Sequence, residues 1–418
     1  MARNIQEEAI PEGWKYDLLD KFATRCSGHT PSKSYPEYWD GGIKWISLTD
    51  SHRLDNGYIH ATGKEISLEG IKNSSAELHP AETVVLSRDA GIGKSGVMAV
   101  PMAVSQHFIA WKCDNSEKLN SWFLYNWLQL NKAEFERQAV GSTIKTIGLP
   151  YFKKLKIAVP PYPEQKKIAQ ILSNWDKAIT TTKQRLANSQ QQKKALMQQL
   201  ITGKQRLLDQ NGERFEGEWE NIKLSDLCLK ITDGAHNSPP SVLEGYPIYS
   251  VKDMTPFGFS NDDVRIIGVN DYRVLSKQGC KPAKGDVLIA KDGSVLKHCF
   301  VVEEDLDAVV LSSIAILRPN PDRIISDFLA QYFSQEHFKF FVKKALTSGS
   351  GVPRIVLKDF KGIFFKVPSI SEQQKIAAVL SAADQEITGL QQQLDHLKQE
   401  KKALMQQLLT GKSRVQIN

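Results

Sequence analysis

The chain has 418 residues, 41% hydrophobic and 24% charged, which is enough for two to four domains and too apolar for wholesale disorder. Its 54 lysines and arginines outnumber its 47 aspartates and glutamates, and the net charge of +7 permits an anionic partner without demanding one. Five scattered cysteines form no CxxC pair, which argues against a disulfide framework or a zinc ribbon; no run of about 18 apolar residues offers a membrane span, and the N-terminal MARNIQEEAIPEGW lacks the apolar stretch of a signal peptide, so a cytoplasmic protein is expected.

In chain order, residues 84–87 (VVLS) form a short apolar run bounded by turn residues, the pattern of a buried strand. Gly91, Gly93 and Gly96 follow and match GxGxxG. A dinucleotide site needs that loop to open a helix. Here residues 97–100 are strand-like and stopped by Pro101. Gly93, Lys94 and Ser95 resemble the end of a phosphate-binding loop, but Arg88 stands where its first glycine belongs. The segment therefore reads as a tight, basic hairpin tip. Residues 120–138 predict a helix with Asn120 near its start. Val159-Pro160-Pro161-Tyr162 is similar to the loop that holds the target amino group in amino methyltransferases. Valine cannot accept that hydrogen bond, so the prolines mark a strand-to-helix corner.

From residue 163 the apolar spacing alternates four and three through Ile168, Leu172, Trp175, Ile179, Thr182, Leu186, Ser189, Lys193, Leu196 and Leu200. That 3.5-residue repeat is a coiled-coil seam, and it stops at Gly203, which suits the position after a helix end. Residues 204–218 are polar and read as a linker. Residues 287–290 (VLIA) form a second buried-strand pattern, and residues 322–345 predict a second helix with Asp322 as its cap.

The tail then returns. VPPYPEQKKIAQILSNWDKAITTTKQRLANSQQQKKALMQQLITGKQR (159–206) and VPSISEQQKIAAVLSAADQEITGLQQQLDHLKQEKKALMQQLLTGKSR (367–414) share 27 of 48 residues without a gap. The second seam runs Ile376, Leu380, Ala383, Ile387, Leu390, Leu394, Leu397, Lys401, Leu404 and Leu408, and ends at Gly411. Two matched seams favour pairing with each other. The segments are 1–158, a first head; 159–203, a central helix; 204–366, a linker and second head; and 367–418, a C-terminal helix.

The heads, read as mixed α/β and rich in strand, repeat more faintly. Four polar or basic loops correspond. Residues 27–33, with Thr30, Ser32 and Lys33, match 232–238, with His236 and Asn237. Ser47 and Thr49 match Ser250 and Lys252; Arg88, Lys94 and Ser95 match Lys291, Ser294 and Lys297; residues 142–146, with Lys145, match 350–354, with Arg354. Such side chains donate to base edges or hold phosphates. Ordinary loop polarity is the competing explanation. No histidine pair has metal-ligand spacing, and His107, His236 and His298 are expected as hydrogen-bonded residues rather than ligands. Asp322 and Asp359 have no acidic counterparts in the other half, which speaks against a nuclease site.

The two copies of PxxxEQxxI and KKALMQQLxTGK resemble the conserved regions of type I restriction-modification specificity (S) subunits, as do residues 27–32, 45–47, 86–89 and 232–236. The resemblance spans essentially the whole chain. It implies two α+β target recognition domains, joined and separated by two long antiparallel coiled-coil helices with a pseudo-two-fold internal repeat. Each domain reads one half of a split site in double-stranded DNA. The helices dock two methyltransferase (M) subunits, which bring S-adenosylmethionine and methylate adenine, and restriction (R) subunits join them. No cofactor, metal or catalytic residue is expected on this chain. The alternatives are a stand-alone DNA-modifying enzyme and a scaffold that does not bind DNA.

Overall fold

A computed structural model describes residues 10–89, 91–113, 117–141, 145–348 and 351–417. The chain divides into two compact units, one made of Met1–Lys183 with Gln392–Asn418, the other of Gln184–Gln391. The boundaries fall inside the two long helices, so these are not domains of their own. Each unit is a head plus half of each helix.

In the first unit a five-stranded sheet has the order Thr24–Ser27, Phe108–Lys112, Val84–Ser87, Ser95–Met98, Tyr58–Ile59. Its central strand is the anticipated VVLS run, buried at every residue because both faces are covered. A three-stranded sheet runs Glu65–Ile66, Trp39–Ile46, Ala103–Val104, the last pair parallel. The expected helix over 120–138 is two helices, Ser121–Leu130 and Lys132–Gln138, broken at Asn131. Asn120 caps the first, accepting from the backbone N–H of Trp122 and Phe123.

The second unit repeats the plan. A four-stranded sheet runs Cys228–Asp233, Ile314–Pro319, Val287–Ala290, Cys299–Val301. A three-stranded sheet runs Arg265–Ile267, Tyr246–Tyr249, Val309–Val310, again with the last pair parallel. The helices are Ser326–Ser334 and Glu336–Ala345. Asp322 is not their cap. The N–H of Ile325 is satisfied from outside by the Gln373 side chain. The 204–218 linker is folded too, through an antiparallel bridge between Leu208 and Arg214.

The tails form helices Tyr162–Leu200 and Ile370–Leu408, each 39 residues and thus about 58 Å long at the usual rise. Both stop where Gly203 and Gly411 adopt φ +71°, a left-handed conformation that costs glycine little. In the first unit Asp176 pairs with Lys401 at 2.6 Å and Glu164 with Arg414 at 2.7 Å. In the second, Lys193 pairs with Asp384 at 2.5 Å and Glu372 with Arg206 at 2.6 Å. Both sets run in opposite chain directions, so the helices pack antiparallel within each unit. Lys193 and Lys401, which look like flaws in the seam, are thus neutralised across it. The helix ends also enter the head cores: Ile168, Leu172, Met405 and Leu408 join the first, and Met197, Leu200, Ile376 and Leu380 the second.

The PxxxEQ motif acquires a physical meaning here. Gln165 accepts from the N–H of Asn120 at 2.7 Å and donates to the carbonyls of Lys118 and Pro160. Gln373 does the same for Ile325, Arg323 and Pro368. One amide therefore satisfies the open start of a head helix and the corner at its own helix. Glu164 and Glu372, both buried, each receive a two-pronged arginine. Those arginines lie over Trp14 and Trp219, at 6.0 and 5.8 Å from the ring centres.

Candidate nucleic-acid interface

The four loops of each head hang on the same backbone frame. At Gly28 and Gly234 the chain leaves its sheet strand and crosses the parallel strand. A Cβ there would lie 2.0 Å from the Val104 carbonyl oxygen or 2.1 Å from that of Val310. The next residues, His29 and Ala235, donate their N–H groups to those same carbonyls. Only glycine fits so close a crossing. The second loop is a tight helical turn closed by a reciprocal cap: Ser47 with Asp50 in the first head, Ser250 with Asp253 in the second.

In the first head the loops are drawn together around Asp89, which follows the central strand. Its carboxylate accepts from Thr146 of the fourth loop and pairs with His107 at 2.5 Å. Arg88 donates to the Ile147 carbonyl at 3.1 Å. Lys94 reaches the Ser51 carbonyl at 3.2 Å, joining the third loop to the second, and Thr30 donates to Gln106 beside His107. Gly91 and Gly93 take positive φ in the hairpin tip between strands Val84–Ser87 and Ser95–Met98, as the sequence suggests. No helix follows.

In the second head the junction is ionic. Lys291 lies 3.0 Å from Asp292 and 3.4 Å from Asp233 of the first loop. Asp292 also receives Arg354 of the fourth loop at 3.3 Å, and His236 lies 3.3 Å from Asp233. The Val251 N–H, in the second loop, donates to Ser313, whose carbonyl accepts from Lys291. Arg265 fastens residues 238–241 through Ser238, Ser241 and the Pro239 carbonyl.

The proposed contact residues therefore separate. Ser32, Lys33, Thr49, Lys145, His236, Asn237, Lys252, Ser294, Lys297 and Arg354 are exposed, and Thr30, Arg88 and Lys94 are partly so. Ser47, Ser95 and Lys291 are buried and correct the expectation that they face outward. Ser47 closes its cap. Ser95 accepts from Gln129 at 2.8 Å within a network that joins Asp55 and Lys132. Lys291 offsets two carboxylates. Ser142 and Ser350, matched between the fourth loops, lie outside the described residues. The organising residues Asp89, Asp233 and Asp292 escape a search for donors, because their work is to bind the donors. The signal for Asp89 and Asp292 is an acidic residue just past the same strand in both halves; Asp233 has only Ser27 as its counterpart and carries no such signal. Burial pushes the Cys228 and Cys299 thiols up to about 12 and raises that of Cys280, so these three are not activated.

Among the described residues no helix is long and apolar enough to cross a membrane. The chain matches the family described as "Type I restriction modification DNA specificity domain" over residues 11–189 and again over 216–399. The specificity subunit of type I restriction enzyme MjaVIII from Methanocaldococcus jannaschii is 25% identical over 97% of this chain and 94% of its own length. That of EcoKI from Escherichia coli is 21% identical over 88% of this chain and 81% of its own. Among solved structures, a type I restriction-modification S subunit from M. genitalium superposes with a TM-score of 0.60 at 16% identity, covering 98% of both chains. A chain from a structure of type I R-M complex assembly and conformational transition gives 0.55 at 18% identity, over 97% of this chain and 99% of its own.

Proposed function

This chain belongs to the type I restriction-modification DNA specificity family, and from that membership we propose that each of its heads reads one half of a bipartite site in double-stranded DNA. The observation that carries the reading is the shared frame with unlike side chains. Both heads hold four loops together through the same glycine crossing, serine–aspartate cap and strand-end aspartate, yet they present different exposed donors. A fixed frame with exchangeable donors suits two readers of two different base sequences. The chain is the recognition subunit and does no chemistry of its own. Two methyltransferase subunits dock on the tails, carry S-adenosylmethionine and methylate adenine, and restriction subunits join that core.

Co-expression with a cognate methyltransferase subunit, followed by methylome sequencing, tests the reading. The expected product is one modified motif in two parts with a spacer. Purified chain alone should transfer no labelled methyl group to DNA. Methyl transfer by the isolated chain, or a modified motif without a spacer, would overturn the assignment.

A further inference from the structure

We propose that Cys26, Glu77 and His79 bind a zinc-type divalent cation in the first head. The Sγ of Cys26, a carboxylate oxygen of Glu77 and a ring nitrogen of His79 all lie within 4.8 Å of one another. His79 is fully buried, yet neither ring nitrogen has a hydrogen-bond partner. An imidazole buried without partners is costly, and a metal ion repays that cost directly. Its backbone is fixed by two hydrogen bonds to Met102, so the ring is held ready. Burial lowers its pKa below the usual 6.5, which keeps the ring neutral and able to donate a lone pair.

Thiolate, imidazole and carboxylate form a donor set suited to zinc, with a fourth tetrahedral position left for water. As the metal–sulfur bond forms, the Cys26 thiol gives its proton to solvent. Thiolate and carboxylate then balance the double charge of the cation. Glu77 is mostly exposed, so its side chain has room to close on the ion, leaving Lys112, which now lies 3.8 Å away. The site sits at the end of strand Thr24–Ser27, just before the Gly28 crossing and the first loop. In the second head Thr232 stands in the place of Cys26, and the segment aligned with Glu77–His79, within 279–282 (GCKP), holds neither a histidine nor a carboxylate, so one ion per chain is expected.

The inference does not rest on the DNA-reading assignment, and its test uses no DNA. Full-length chain, stripped with a chelator and dialysed, is titrated with Zn²⁺ and, for an optical signal, with Co²⁺. One equivalent should bind, and Co²⁺ should give a thiolate-to-metal absorption band. Cys26→Ser should abolish the band and weaken Zn²⁺ binding at least about tenfold, whereas Cys113→Ser should leave both unchanged. Zn²⁺ should raise the thermal midpoint of the wild-type chain and not that of Cys26→Ser. Cys26→Ser is nearly isosteric and its fold is checked by circular dichroism, so the test stands even if His79→Gln fails to fold. Unaltered Zn²⁺ affinity in folded Cys26→Ser, or no stoichiometric uptake by the wild type at micromolar free zinc, would overturn the proposal.

Discussion

In the tails, Glu164 and Glu372 each receive a two-pronged arginine, Asp176 and Asp384 each pair with a lysine, and Gln165 and Gln373 make the same three hydrogen bonds. In the loops, Asp89 and Asp292 follow equivalent strands and each pairs with the basic residue before it, Arg88 at 3.9 Å and Lys291 at 3.0 Å, but their other partners differ: Thr146 and His107 in one head, Arg354 in the other. The tails preserve side-chain identity because those side chains satisfy buried backbone and buried charge. The loops preserve only the few residues that set their backbone, a glycine, a serine–aspartate cap and a strand-end acid, and the remaining side chains are free to differ.

Substitution can break this contrast, and the largest effects belong to the tails. Arg206→Ala leaves the Glu372 carboxylate buried without its cation and should cost about 3–5 kcal/mol in urea unfolding. Arg414→Ala should cost less, because Arg414 is 44% exposed against 19% for Arg206, and water can reach the abandoned Glu164 more easily. Equal losses would show that the clamps do not depend on burial.

Lys291 sharpens the comparison because it is a loop residue placed like a tail residue. Lys291→Met should destabilise the second unit by about 1–3 kcal/mol, since it removes the buried cation between Asp233 and Asp292 and leaves them only His236 and the exposed Arg354. Exposed neighbours should behave otherwise. Lys297→Ala, or Lys145→Ala in the first head, should change stability by less than about 0.5 kcal/mol. If these lysines hold phosphates, each change should weaken DNA binding evenly across sequences and flatten its salt dependence. Arg354→Ala, if that side chain reaches a base edge, should cost about 1–3 kcal/mol at one position of the site.

The smallest effect is a pH dependence, to which His79 contributes in the first unit and His298 in the second. Burial holds the His79 pKa below 6.5, so on acidification the unfolded chain takes up a proton before the folded chain does. Its contribution to stability is complete above about pH 6.5 and declines as the pH falls below that value. With a chelator present, unfolding midpoints measured from pH 8 to 5 should show this decline, and His79→Gln should reduce it, leaving the part that His298 contributes.

The tails were the most legible part of the sequence, since a seam repeats at short range and its copies align without a gap. The Asn120 cap was legible for the same reason: its acceptor and donors are neighbours in the chain. Asp322 misled because the group that caps the second helix is Gln373, which lies 48 residues from the Ile325 N–H it accepts. Ser95 and Lys291 misled because polarity near a turn does not report direction; both point into networks built from distant segments. The 204–218 segment is polar, yet Arg206 within it closes the tail on Glu372. The corresponding roles of Glu164 and Arg414 could have been inferred from their place at opposite ends of two matched helices, given an antiparallel arrangement.

The account stands on each head reading its own half of the site. Residues 1–158 can be exchanged for the first head of a relative with a different specificity, and the chimera co-expressed with the methyltransferase subunit. Methylome sequencing should then show one half-site replaced and the other, with its spacer, unchanged. A methylome in which both half-sites change together would contradict the account.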